Sequence, residues 1–327
     1  GVPFAKPPVG DLRWRAPQDA EPWQGERLAT EDPPPCIQPT FSRGFEVQAD
    51  TKGDEDCLYL NVFRPQSSEA NLPVLFWIHG GGNVFGSAGE CCVEDLARKA
   101  NIVIVVVQYR LGVLGFFTHP ALRADSNDIE DSGNFGLLDQ IKALRWTKQN
   151  IASFGGNPFN VTIGGHSAGG HDVAQLTICP LANGLFHRAF DQSGGWLAQS
   201  RYSIDETATR TITYALMSDD KVNDPLEAER LLHKMPSSRI VSMLRSVPAK
   251  ELLHAHNCHT DNSFPVWAFV IEDGVVIPGP LFRVIESGRY SRVPTMITFT
   301  KTESGSDHIA IGPLYPGMAD YRRLMEV

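Results

Sequence analysis

Residues 160–170 read NVTIGGHSAGG. An apolar, β-branched run (VTI) leads into a single serine, Ser167, fenced by glycines, and a stretch of helical character comes after it. Glycines on either side of a serine permit a sharp turn and leave room for neighbouring backbone, which is what a strand needs to hand over to a helix with a nucleophile at the bend. Gly165, His166, Ser167, Ala168 and Gly169 satisfy that G-x-S-x-G pattern. Five-letter matches also arise by chance, so the context has to decide. A second element supplies it: HGGG at 79–82 directly succeeds the strand-like PVLFWI. Consecutive glycines there let the N–H groups of Gly81 and Gly82, with that of Ala168, converge on a developing oxyanion.

Outward from these two stretches, strand-like and helix-like runs alternate from Pro73 onward. In order they are PVLFWI, a helical stretch near 93–100, IVIVVVQY, a helical stretch at 136–152, NVTIGGH, a helix from Ala168 to Cys179 and RAFDQS. That alternation predicts an α/β protein with a central, mostly parallel sheet and helices on both faces. IVIVVV at 102–107 has the length and branching of a strand buried on both faces. The whole chain, 1–327, reads as one domain in four parts: a proline-rich lead-in with small strands at 1–70, a core sheet with the glycine loop and the serine turn at 71–200, a helical insertion at 201–290, and a last strand and loop at 291–327.

Composition narrows the partners. Of the 327 residues, 42% are hydrophobic and 20% charged, enough for a large core, and the net charge of -9 disfavours nucleic acid and anionic membrane surfaces. No run of about 18 apolar residues exists to span a bilayer. No cofactor motif is present. The chain begins with glycine and without a signal-like segment, so we expect its natural beginning to be missing.

The motifs together resemble the type-B carboxylesterases, a group of α/β-hydrolases that includes the cholinesterases and many bacterial esterases such as the para-nitrobenzyl esterases. The likeness is carried by GVPFAKPPVGDLRW (1–14), EDCLYLNVF (55–63), WIHGGG (77–82), YRLGVLGF (109–116), GNFGLLDQ (133–140), NIASFGGNPFNVTIGGHSAGG (150–170) and FDQSGG (190–195). The resemblance implies the α/β-hydrolase fold, incomplete here at the C-terminus, and a serine ester hydrolase working through an acyl-enzyme on small-molecule esters. It implies Ser167 as nucleophile, Gly81, Gly82 and Ala168 as oxyanion donors, and a Cys36–Cys57 disulfide. Its acid is usually a glutamate in a segment resembling GVNKDEG; TFTKTESG at 298–305 matches, which points to Glu303. Two departures stand out. The family commonly has glutamate or glutamine where this chain has His166, and often an aromatic residue where it has Asn83; both are expected to line the pocket.

The triad order serine, acid, histidine demands a base after Glu303. Only His308 is found there, five residues on, whereas the family histidine lies much further along; the base is therefore expected outside this chain. Of the others, His79 belongs to the glycine loop, His166 adjoins the serine but points to the opposite face, and His171 faces sheet or solvent. His119, His187 and His233 read as surface residues. HAHNCH at 254–259 carries metal-binding side chains (His254, His256, Cys258, His259), yet nothing else proposes a metal enzyme, and no metal is expected.

Two other readings compete. A non-catalytic binding relative would keep the scaffold, and a shorter esterase of the hormone-sensitive-lipase type would use Asp273 and His308. Retention of Ser167, the glycines and Glu303 favours the first reading over the binding relative, and EDCLYLNVF and GNFGLLDQ stand against the shorter esterase. Spacing leaves Cys91, Cys92, Cys179 and Cys258 unassigned, and adjacent Cys91 and Cys92 bridge each other only through a strained ring. The Asn160-Val161-Thr162 sequon leads into a buried strand, so a buried asparagine is expected. The implied disulfide suggests a secreted or periplasmic location, with cytoplasmic as the alternative.

Overall fold

The computed structural model of the chain describes residues 1–41, 47–123, 129–218, 222–257, 266–300 and Glu303. Eleven strands are described: β1 (Val2–Pro3), β2 (Gln38–Phe41), β3 (Val47–Lys52), β4 (Tyr59–Phe63), β5 (Leu72–Ile78), β6 (Val103–Val107), β7 (Gly156–His166), β8 (Arg188–Gln192), β9 (Ala198–Ser200), β10 (Val270–Glu272) and β11 (Thr295–Thr298). The α-helices among the described residues are α1 (Glu94–Ala100), α2 (Gly112–Gly115), α3 (Phe135–Asn150), α4 (Ala168–Ile178), α5 (Arg201–Ser218), α6 (Pro225–Lys234), α7 (Ser237–Ser246), α8 (Ala249–Asn257) and α9 (Leu281–Glu286).

Seven strands form the central sheet in the order β1-β4-β6-β5-β7-β8-β11. β6, β5, β7, β8 and β11 run parallel; β4 is antiparallel to β6, and β1 to β4. The expected parallel sheet is thus present. β6 shows why its sequence reads as an unbroken apolar run. Val103, Val105 and Val107 join the large core with Val74, Phe76 and Ile78, while Ile104 and Val106 point the other way, into a smaller core with Val93 and Ala97. Alternate side chains of a strand leave opposite faces, so a strand covered on both must be apolar throughout. α1 closes the smaller core, and α3 and α4 bring Leu137, Ile141, Leu144, Val173 and Leu176 to the larger one.

The Cys36–Cys57 disulfide is present, with an S–S distance of 2.00 Å and both residues buried. Cys91, Cys92 and Cys179 are outside any disulfide, so the adjacent pair does not bridge. Cys258, His259 and His308 lie outside the described residues. Asn160 is only partly buried, its Oδ1 accepting from Arg188 at 2.6 Å, where a buried asparagine was expected. No described helix is long and apolar enough to cross a membrane.

α5 to α8 lie where the helical stretch was expected. The sequence did not reveal a parallel ribbon of β9 and β10 beside them. β10 has only three residues, too few to show a period, and its edge is held by a side chain: Asn134 accepts from the Ile271 N–H at 2.7 Å and donates to its carbonyl at 2.9 Å.

Candidate active site

The parallel register brings the C-terminal ends of β5, β7, β8 and β11 to one edge of the sheet. Ile78 pairs with Gly165, His166 with Gln192, and Thr298 with Gln192. The segments leaving these strands therefore meet there: His79–Gly82, Ser167, Ser193 and Glu303. In open α/β sheets this carboxyl edge is where ligands bind.

Ser167 occupies a conformation that L-residues rarely adopt, φ 55° and ψ -121°, and caps α4. Such strain persists only where the surroundings enforce it. Here the Ser167 N–H donates to Gln192 O at 2.8 Å, and its carbonyl accepts from His171 N–H at 2.9 Å. The flanking glycines are required by close approach: a Cβ on Gly165 would fall 2.3 Å from Gly169 O, and one on Gly169 would fall 2.1 Å from Ile78 O. The expected strand, turn and helix around the serine is the structure observed.

The glycine loop lies against this turn. A Cβ built on Gly80 would stand 3.3 Å from the Ser167 Cβ. Among the described residues the N–H groups of Gly81 and Gly82 have no hydrogen-bond acceptor, and the Ala168 N–H is one of the orphan donors of a helix's first turn. The Trp267 ring packs on Gly82, and Ala268 N–H donates to its carbonyl at 3.1 Å. His79 is buried and stacks on Tyr109 with ring centroids 4.5 Å apart. Burial holds the His79 imidazole down to about 4, so the ring is neutral near pH 7, and its Nδ1 meets the Gly80 carbonyl.

Glu303 accepts from the Ser193 hydroxyl at 3.0 Å and from the Thr300 N–H at 2.6 Å. Burial pushes its pKa up, but the Thr300 and Ser193 hydrogen bonds and the nearby His166 outweigh that and hold the carboxyl below its usual range. His166 itself is exposed at the end of β7. Ser193, which the sequence did not single out, also has a left-handed backbone, φ 51°.

No described histidine is hydrogen-bonded to the Ser167 hydroxyl. His171 is turned to the Gly195 carbonyl at 2.7 Å, and His187 and His119 accept backbone N–H groups. His119 is 8% exposed, not the surface residue expected. His256 meets Thr211 Oγ1, and among the described residues no group of three or more His, Cys, Asp or Glu is placed to hold a metal ion. Asp273 uses its carboxylate to accept the N–H groups of Val275, Val276 and Ile277, closing the turn after β10.

Asn83 does not line the pocket. It is 2% exposed, and its side chain is taken up by Tyr109 and Asp172 beneath the glycine loop. A left-handed backbone, φ 57°, turns it inward.

Comparison with known proteins matches residues 1–312 to the Carboxylesterase family. Carboxylesterase 1D of Rattus norvegicus is 37% identical over 316 residues, covering 93% of this chain and 54% of the relative. Cocaine esterase of Homo sapiens is 37% identical over 314 residues, covering 93% and 52%. Among solved structures, the Geobacillus stearothermophilus carboxylesterase EST55 at pH 6.2 superposes with a TM-score of 0.74 at 35% identity, covering 91% of this chain and 56% of that one. A thermophilic PNB esterase gives 0.77 at 33% identity, covering 94% and 61%. The chain spans about half the length of the relatives it matches.

Proposed function

The chain belongs to the carboxylesterase family, and on that premise we propose that Ser167 is the nucleophile of a carboxylic-ester hydrolase acting on small-molecule esters. The observation that carries this reading is the strained serine turn set against a glycine loop with unused N–H donors, at the same sheet edge as Glu303.

In this reading Ser167 Oγ bonds to the ester carbonyl carbon while its proton passes to a histidine base. The carbonyl electron pair moves onto oxygen, where the N–H groups of Gly81, Gly82 and Ala168 receive it. Collapse breaks the bond to the alcohol oxygen, which takes the proton from the base and leaves an acyl-enzyme. Water then adds, giving one proton to the base, and the acid leaves as Ser167 recovers its proton. Glu303 orients the imidazole and stabilises its charged form. Among the described residues no histidine hydrogen-bonds the Ser167 hydroxyl, and the family resemblance sets the histidine far beyond Glu303, so in this reading the base follows Val327. The buried Cys36–Cys57 bridge supports folding in an oxidising compartment, hence a secreted or periplasmic enzyme.

The test is hydrolysis of a short p-nitrophenyl ester by the product of the longer gene, by residues 1–327 alone and by Ser167→Ala in each. Turnover is expected only in the longer protein and is abolished by Ser167→Ala; loss of a triad base lowers turnover by roughly a million-fold. Serine-dependent turnover by residues 1–327 would place the base within them and turn attention to His308. A folded longer protein without turnover would support a non-catalytic binding relative.

A further inference from the structure

Beneath the glycine loop lies a closed set of buried polar groups that the proposed chemistry does not use. Asn83 comes directly after Gly82, and each of its side-chain polar atoms is engaged, as is its carbonyl. That carbonyl accepts from Gly112 N–H at 2.6 Å, its Oδ1 receives the Tyr109 hydroxyl at 3.0 Å, and its amide donates to Asp172 Oδ1 at 3.2 Å. The Tyr109 hydroxyl is also 2.8 Å from the carbonyl of His79, so one side chain reaches both ends of the loop. Asp172 belongs to α4, five residues after Ser167, and has no exposed surface. Its second oxygen receives the amide of Gln140, itself fully buried on α3. The result is a continuous path from the oxyanion loop through Asn83 and Asp172 to the helix that carries the nucleophile.

A stabilising role explains this poorly. Asp172 is a buried carboxyl whose hydrogen bonds come from two neutral amides, and no cation forms an ion pair with it among the described residues. Burying a charge with neutral partners alone is costly, and an apolar side chain of similar size would serve packing better. Asn83 likewise sits in left-handed backbone, which asparagine tolerates better than most residues. What the pair does supply is a directional link between the two halves of the site. The donors at Gly81 and Gly82 stabilise an oxyanion only when held at a fixed distance from the serine, and misplacement by about 1 Å costs on the order of a hundred-fold.

We propose that Asn83 and Asp172 form a positioning pair that fixes the oxyanion loop to the nucleophile helix, setting where the Gly81 and Gly82 N–H groups stand relative to Ser167. This rests on the esterase reading. The pair touches no substrate and acts through the glycine loop. Removing either partner leaves the other's polar group buried and unpaired and lets the loop shift.

The experiment combines steady-state kinetics on the active longer protein with hydrogen exchange of the peptide spanning His79 to Gly86. Asn83→Ala and Asp172→Ala are each expected to lower kcat for a p-nitrophenyl ester by roughly ten- to a hundred-fold with little change in KM, because oxyanion donors act mainly in the transition state. The double variant falls no further than the worse single one, and exchange in the loop peptide rises in all three. Asp172→Asn restores most of kcat, since its oxygen accepts from Asn83 while its amide donates to Gln140 Oε1 once the Gln140 amide, whose nitrogen now faces Asp172, turns over; that oxygen has no partner among the described residues. Folded Ala variants with unchanged kcat, or losses that multiply in the double variant, overturn the proposal. So does an Asp172→Asn variant as impaired as Asp172→Ala while equally folded. Failure of the esterase reading is separate: the unaltered protein would then show no Ser167-dependent turnover at all.

Discussion

Replacing Asp172 with asparagine should change how stability depends on pH, independently of any catalytic assay. Burial pushes the Asp172 carboxyl from 3.8 up to about 7, because the amides of Gln140 and Asn83 only partly replace lost water. In the unfolded chain the same group loses its proton near the ordinary value. Between those two pH values the folded protein holds a proton that the unfolded chain does not, so wild-type stability falls as pH rises and is fullest below pH 4. The difference is about 3 units, and each unit is worth about 1.36 kcal/mol, which sets a ceiling of about 4 kcal/mol on the loss. Asparagine does not titrate, so the stability of Asp172→Asn minus that of wild type should grow by up to about 4 kcal/mol from pH 4 to pH 7.5. The offset between the curves absorbs the pH-independent difference in hydrogen bonding, and only the slope reports the titration. Asp191, also pushed by burial up to about 7, is present in both proteins and cancels. Urea denaturation monitored by circular dichroism at four or five pH values reads the slope. Parallel curves would refute the reasoning by showing that water reaches the carboxyl. A gap that narrows with pH would mean that a cation pairs with it.

Removing the Cys36–Cys57 bridge with serine at both positions should lower stability by about 3 kcal/mol, since the bond closes a loop with a sequence separation of 21; urea denaturation tests this, and a loss below about 1 kcal/mol would contradict it. Ser193→Ala should lower kcat of the active protein about ten-fold, because the Glu303 carboxylate loses a hydroxyl donor worth about 1.5 kcal/mol; unchanged kcat would mean that the Thr300 contacts hold Glu303 unaided.

The parts of this structure legible in the sequence are those whose physical cause is local. β6 had to be apolar at every position because both faces are covered, and the turn at Ser167 had to be flanked by glycine because Gly169 passes within touching distance of Ile78. Glu303 was reached only through the family resemblance, since a carboxylate after a strand otherwise reads as a solvated loop residue. The hydroxyl that holds it, on Ser193, lies 110 residues earlier, and no local pattern joins the two. Asn83 shows the opposite failure. Its place beside the glycines suggested a pocket wall, but a left-handed backbone directs the side chain under the loop, toward a partner 89 residues away.

That contrast arises from how the site is put together. Each candidate component hangs from the end of a different parallel strand, so its position is set by strand register and not by neighbours in sequence. Ser167 succeeds β7, Ser193 succeeds β8, the glycine loop succeeds β5 and Glu303 succeeds β11, each pair of adjacent strands being fixed by named partners across the sheet. A slip of one residue between β8 and β11 would exchange the faces of every side chain on one strand and carry Ser193 away from Glu303. Register alone, however, fixes only the roots of the loops. The glycine loop is backbone-rich; Val84 and the Trp267 ring seat it from its far end, and polar anchors hold its near end. Tyr109 reaches both of its ends, and Asn83 and Asp172 tie it to the helix that Ser167 caps. The sheet therefore sets which groups meet, and the buried polar set beneath the loop sets the distance at which they do.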